Sequence, residues 1–126
     1  MDDLKYSRDH EWIRVEGEIC VLGITEFAQK QLGEVVFVEL PEVGEVFDSH
    51  DEIGTIESVK AVAEVYTPVA GEIIEVNHTV VEDPEVLNED PLHEGWLVKI
   101  RYSASTDLEA LMNAEAYEDY VRAEKG

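Results

Sequence analysis

From residue 11 to residue 102 the chain is a series of short runs rich in Val and Ile, separated by Gly, Pro, Asn and Asp. Side chains branched at Cβ suit the pleated, half-buried surface of a strand. The first run is Glu11-Trp12-Ile13-Arg14-Val15, and Glu16-Gly17 reads as a turn into a second at 19–24. Further strands are expected at 34–40, 53–59, 61–67, 72–77 and 95–102. Pro41-Glu42-Val43-Gly44 and Pro68-Val69-Ala70-Gly71 are turns by composition. A Pro-x-x-Gly-Glu pattern recurs at 41–45 and 68–72, each time before a β-rich run, and hints at two related halves. Thr25 is placed to cap a short helix over 26–32, with Gly33 to end it. Residues 80–91 are acidic and broken by Asp83-Pro84 and Asp90-Pro91, so a loop with at most one helical turn is expected. Thr106-x-x-Glu109 is a capping-box pattern opening a helix through Met112. Asn113 can cap a last helix over 114–124, with Tyr117, Tyr120 and Val121 as packing residues. Strands first and helices last describe a small β-barrel or sandwich with a helical appendix.

A chain of 126 residues has the length for one domain with one modest core. Its apolar content of 44% is too high for disorder despite a formal net charge of -21. That charge repels nucleic acid and anionic membranes and suits basic protein partners. A salt-rich cytoplasm is a second reading of the same acidity. Cys20 stands alone, which excludes an internal disulfide and fits a reducing compartment. Its neighbours Ile19, Val21 and Leu22 make it a buried apolar residue. Met1-Asp2-Asp3-Leu4-Lys5 lacks the pattern of a signal peptide, and no apolar run approaches the ~20 residues of a membrane span. A cytoplasmic location is expected.

The usual catalytic patterns are missing. There is no CxxC, no GxSxG and no phosphate-cradling GxxxxGK[ST] loop. His10, His50, His78 and His93 do not pair at metal-ligand spacing, and Asp48-Ser49-His50-Asp51 reads as an acidic loop. What stands out is Lys60, in Glu57-Ser58-Val59-Lys60-Ala61. Among the 68 residues from Gln31 to Val98 it is the only Lys or Arg, beside 17 carboxylates. It falls between the runs 53–59 and 61–67, hence at or near a hairpin tip. Two readings are open from the residues alone: a solvated lysine, or an amine presented for covalent attachment. An ε-amine must shed its proton to attack an activated acyl group, and so needs access to solvent and to an enzyme.

Several segments, in order, closely resemble the H protein family of the glycine cleavage system. They are Gly33-Glu34-Val35-Val36-Phe37-Val38-Glu39-Leu40-Pro41, Glu57-Ser58-Val59-Lys60-Ala61, Pro68-Val69-Ala70-Gly71-Glu72, and Asn88-Glu89-Asp90-Pro91 through Gly95-Trp96-Leu97. The opening His10-Glu11-Trp12 and the tail Ala114-Glu115-Ala116-Tyr117 fit the same family. The resemblance covers nearly the whole chain.

It implies a mainly β fold with short helices, a flattened β-barrel or barrel-sandwich hybrid. One short helix is expected near 26–32, with others at the C-terminus. The chain would be a single lipoyl-carrier domain over 1–126, with a lipoyl-like core at about 18–102 and a helical appendix at about 106–124. It also implies lipoic acid in amide linkage on Lys60 and a carrier, not a catalyst. Implied partners are a pyridoxal-phosphate-dependent, decarboxylating glycine dehydrogenase, a tetrahydrofolate-using aminomethyltransferase, a dihydrolipoyl dehydrogenase with FAD and NAD, and a lipoate-attaching enzyme. Self-repulsion and the family's habit favour a monomer. Glu57 falls to recognition by the attaching enzyme. Glu11, Glu64 and Asp9 are candidates to hold the ammonium of the loaded arm, against a reading as solvated carboxylates on an acidic surface. Trp12 and Trp96 are read as packing residues. Lipoyl domains of 2-oxo acid dehydrogenase complexes usually carry Asp-Lys-Ala and biotin carriers Met-Lys-Met, where this chain has Val59-Lys60-Ala61. The alternatives are an H-like lipoyl donor or carrier in another pathway, and an unmodified acidic interaction module.

Overall fold

Burial alternates with period two, the signature of a strand with one face inward, in the last strand and in the start of the one before it, while the run over 19–24 is buried almost throughout. In the computed structural model, which describes residues 4–125, nine strands and five helices form. The strands are β1 (Leu4–Tyr6), β2 (Glu11–Glu16), β3 (Ile19–Ile24), β4 (Val35–Glu39), β5 (Val46–Phe47), β6 (Glu52–Ser58), β7 (Val62–Tyr66), β8 (Gly71–Val76) and β9 (Val98–Tyr102). The helices are α1 (Glu26–Leu32), α2 (His78–Glu82), α3 (Glu85–Glu89), α4 (Thr106–Glu109) and α5 (Ala114–Lys125). Met1 to Asp3 and Gly126, which the single-domain expectation includes, lie outside the described residues.

The strands make two open sheets, β1-β2-β3-β9-β8-β5 and β4-β6-β7, with every pairing antiparallel. Ile13, Cys20, Leu22 and Ile100 of the larger sheet share one core with Val38, Ile53, Ile56 and Val65 of the smaller. This is the flattened barrel-sandwich arrangement that the family resemblance implies. Cys20 is fully buried in it, and burial pushes its thiol up to about 12, out of reach of thiolate chemistry at neutral pH. The other face of the larger sheet carries a second cluster of Tyr6, Trp12, Val21 and Tyr117, with Trp96 packed against it. Here α5 docks: the rings of Tyr6 and Tyr117 stack at 4.6 Å, and Trp12 Nε1 donates to the Pro91 carbonyl at 3.0 Å. Gly23 is required beneath Trp12, because a Cβ there would meet indole atoms at 2.5 Å.

The two Pro-x-x-Gly-Glu segments lie against each other. Gly44 N donates to Ile73 O (2.8 Å), Ile73 N donates to Glu45 O (2.9 Å), and Val46 faces Glu72 across the β5–β8 pair. The repeat in the sequence is thus a contact in the fold.

Three expected boundaries are corrected. The 80–91 region holds two short helices, not a loop, because Asn77 caps α2 and each helix sinks one side chain, Val80 and Leu87, into the core. The last strand starts at Val98 and not at Gly95, since the Asn77 side chain takes the Glu94 and Trp96 carbonyls (2.9 and 2.7 Å). The capping box at Thr106 does not form. Asp107 turns its carboxylate to Ala70 N (2.9 Å), α4 stops at Glu109, and Met112 bridges to Tyr6 instead of extending the helix. The caps at Thr25 and Asn113 do form, through Ala28 N (3.2 Å) and Ala116 N (2.8 Å).

Candidate functional site

Lys60 sits in the turn Ser58-Val59-Lys60-Ala61 that joins β6 to β7. Ser58 N donates to Ala61 O at 2.8 Å, closing the turn. The buried Ser58 hydroxyl oxygen accepts from Lys60 N (3.3 Å) and Ala61 N (3.0 Å), so one short side chain holds the backbone of the lysine in place. Val59 N donates to Glu34 O (3.0 Å), tying the turn to the segment before β4. That segment is clamped in turn by Asn88 of α3, whose Nδ2 donates to Gly33 O (2.7 Å) and whose Oδ1 accepts from Val35 N (2.9 Å). The result is an exposed amine on a rigid mount.

Gly33 has φ of 79° and faces the lysine; a Cβ there would lie 3.3 Å from Lys60 Cε. Its two roles, ending α1 and clearing space for Lys60, both need the missing side chain. The isolation of Lys60 along the chain does not hold in space. Lys30, at the end of α1, lines the same 270 Å³ cavity, together with Phe27 and Gln31.

Phe27 and Gln31 also line a larger cleft of 410 Å³, which runs from Ala61 along β7 and past α1. Its walls mix apolar side chains, among them Ile24, Leu32, Ile56, Val62 and Val65, with carboxylates. Asp9, Glu11 and Glu64, proposed from the sequence as one set, all line this cleft, as does Glu124. They differ in environment. Asp9 and Glu64 are exposed, whereas Glu11 is 2% exposed and accepts from Ser7 Oγ (2.6 Å) and Tyr66 N (3.1 Å). Burial raises the Glu11 carboxyl to about 7, working against those two hydrogen bonds and assisted by the charge of Asp9. Desolvation first, then Glu64, Glu52 and Asp9, hold the neighbouring Tyr66 phenol above its ordinary value. Glu57 stands apart: it is exposed on β6 between Phe37 and Val62 and does not line the cleft.

Sequence reasoning missed other residues around the cleft. His10, with φ of 68°, places Nδ1 2.8 Å from the Tyr117 hydroxyl and Nε2 2.9 Å from Glu124 Oε1, and packs on Phe27 at 4.6 Å. Tyr117 OH also reaches Thr25 Oγ1 at 2.7 Å. His10 thus joins α1 to α5. The His10-Glu11-Trp12 segment and the Tyr117 tail were both visible as motifs, but their contact across 107 positions was not. Asn88 lies in the Asn88-Glu89-Asp90-Pro91 segment, where no local pattern signals partners 53 and 55 positions away.

The sequence profile described as "Glycine cleavage H-protein" matches residues 4–124. A glycine cleavage system H protein of Carboxydothermus hydrogenoformans is 49% identical over 122 residues, covering 97% of this chain and 94% of that protein. One from Herpetosiphon aurantiacus is 52% identical over 122 residues, covering 97% and 93%. Among solved structures, a glycine cleavage system H protein from Mycobacterium marinum superposes with a TM-score of 0.84 at 38% identity, covering 91% of this chain and 93% of that one.

Proposed function

The chain belongs to the glycine cleavage H-protein family, and from that premise we propose that Lys60 is the residue on which it bears its lipoyl group. As a member it is a non-catalytic lipoyl carrier of the glycine cleavage system, with lipoic acid attached covalently to a lysine. Its place in that system implies contact with the glycine-decarboxylating P protein, the aminomethyl-transferring T protein and lipoamide dehydrogenase. When bound, the lipoyl group supplies the dithiolane that takes up and releases an aminomethyl group and a pair of electrons.

The observation that carries the assignment is the mount of Lys60. It is exposed, its backbone is fixed by Ser58, and the cavity it lines shares Phe27 and Gln31 with a cleft that holds both apolar side chains and carboxylates. That combination of environments fits an alkyl arm ending in a cationic amine. In this reading Glu11 and Glu64 hold the ammonium, with Asp9 at the rim, and the cleft walls exclude the water that would hydrolyse the cargo. Glu57, exposed beside the turn, contributes to recognition by the lipoate-attaching enzyme. The chain acts as one carrier domain, monomeric under its own charge repulsion and without affinity for nucleic acid or membrane. Among the described residues no helix is long and apolar enough to cross a membrane. A cytoplasmic setting belongs to the same reading, supported by one buried thiol in place of disulfides.

Intact mass tests the anchor directly. Wild-type protein from cells competent in lipoylation should carry one lipoyl increment, absent from Lys60→Arg. An increment that persists in Lys60→Arg refutes the assignment. For the clamp, Glu11→Gln with Glu64→Gln should shorten the lifetime of the aminomethyl-loaded protein; an unchanged lifetime argues against electrostatic holding.

A further inference from the structure

Seven large apolar side chains stand exposed among the described residues, and four of them cluster at the Lys60 turn: Val36, Phe37, Val59 and Val62. The grouping follows from strand register. Phe37 faces Glu57, and Glu57 faces Val62, so the three form a row on one face of the small sheet. A bulge between Val35 and Phe37 turns the extra residue, Val36, outward at the same place. Val59 is fixed next to them by its hydrogen bond to Glu34. They are 47 to 66% exposed, although the buried faces of the same strands are well packed. Apart from the target Lys60 and its neighbour Lys30, the charged side chains bordering them are acidic: Glu34, Glu39 and Glu57 are all exposed.

We propose that Val36, Phe37 and Val59 form the docking platform for the enzyme that acylates Lys60, through an apolar patch on that enzyme rimmed by basic side chains. The inference rests on Lys60 being the lipoyl anchor. Reach decides the occupant. Before any arm exists, the attaching enzyme must bring an activated acyl carbon to Lys60 Nζ, roughly 6 Å from its Cα. Its surface must therefore lie over the turn and whatever surrounds it. Later partners work at the far end of a long arm and have no such need. The acidic border selects a basic rim on the partner, which speeds encounter and fixes orientation. In the step itself the deprotonated amine attacks the carbonyl of lipoyl-adenylate. A C–N bond forms, the C–O bond to AMP breaks, AMP leaves with the electron pair, and the amine's excess proton passes to solvent.

The test uses unlipoylated full-length protein with a purified lipoate–protein ligase, lipoate and ATP, which together supply the adenylate. Val36→Ser with Phe37→Ser should lower kcat/KM for lipoylation by about tenfold or more, mainly through KM, as expected for removal of a central apolar anchor. Acetylation of Lys60 by a small N-hydroxysuccinimide ester should be unchanged, because the amine itself is untouched. Val43→Ser with Val46→Ser, which alters exposed valines away from the hairpin, is the control and should leave kcat/KM within about twofold. As a binding test independent of turnover, Lys60→Arg protein should inhibit lipoylation competitively. The same protein also carrying Val36→Ser and Phe37→Ser should not. Wild-type kcat/KM in the platform variant overturns the proposal. So does a defect that appears only in aminomethyl loading, or only as loss of a dimer. Lipoylation that survives Lys60→Arg instead refutes the anchor assignment, and the two failures are thereby distinguished.

Discussion

Glu11 shows how one residue serves both the fold and the cleft. Its carboxyl lies against the core side of β2, bridges Ser7 to the Tyr66 amide, and still reaches the cleft. Burial raises its proton affinity from the ordinary 4.5 to about 7, so in that window the folded protein binds more protons than the unfolded chain. Stability from this group is therefore full below pH 4.5 and is lost as pH rises to about 7, by about 3 kcal/mol in all. Glu11→Gln keeps an acceptor for Ser7 and cannot ionise. Its unfolding free energy relative to wild type should accordingly grow by up to about 3 kcal/mol between pH 4.5 and 7 and then level off, as read by urea titration at each pH. A constant difference would mean that Glu11 titrates normally. The same physics suits a cargo clamp, because an arriving ammonium favours the ionised carboxylate and draws the proton off it. Gly33 is the second residue where backbone and function meet. Gly33→Ala should cost about 1–2 kcal/mol of stability, since L side chains resist a φ of 79°, and the new methyl would press on the Lys60 stem. Chemical denaturation and the rate of Lys60 acylation read these two effects separately.

Among elements, the β6–β7 hairpin was legible because its two runs are β-branched and its turn carries the only cation in a long stretch of sequence. Its rigidity was not, since it depends on Asn88, 28 positions beyond Lys60, in a segment too acidic and proline-rich to read as helix. Short helices such as α2 and α3 are poor candidates from propensity, because a helix of five residues has almost no stability of its own. They exist because Val80 and Leu87 are buried and, for α2, because the Asn77 side chain accepts from Thr79 N. Asn88→Ala strips hydrogen bonds from two backbone groups, Gly33 O and Val35 N, and should cost about 1–3 kcal/mol in a urea titration. It should also slow lipoylation of Lys60, which a purely local role for Asn88 would leave untouched. The misread capping box at Thr106 teaches the converse. A local pattern of the right letters yields when a carboxylate, here that of Asp107, finds a long-range amide partner at Ala70.

At the scale of the whole molecule, the excess of 21 negative charges is spread over a surface with few cations to offset it. The ion pairs of Lys and Arg among the described residues, Arg14–Glu16, Lys99–Glu75 and Arg122–Asp119, are surface pairs of small worth. Repulsion should therefore dominate at low ionic strength and be screened as the Debye length falls from ~10 Å at 0.1 M to ~3 Å at 1 M. The thermal midpoint by circular dichroism should rise with KCl over that range. A midpoint indifferent to salt would remove the salt-rich cytoplasm as an explanation of the acidity. By itself the sequence determined the strand-rich class, the helix after Thr25, the buried state of Cys20, the family and the lysine to suspect. Those are consequences of local patterning and of motif order, which a linear text preserves. The tertiary structure alone decided that Asp9, Glu11 and Glu64 share one cleft, that only Glu11 is buried there, and that His10 joins the first helix to the last. It also placed Lys30 beside Lys60 and gathered four scattered apolar residues around the turn. Desolvation, proximity of charges and exposed surface are properties of neighbours in space. The chain fixes those neighbours only once two sheets have closed on a common core.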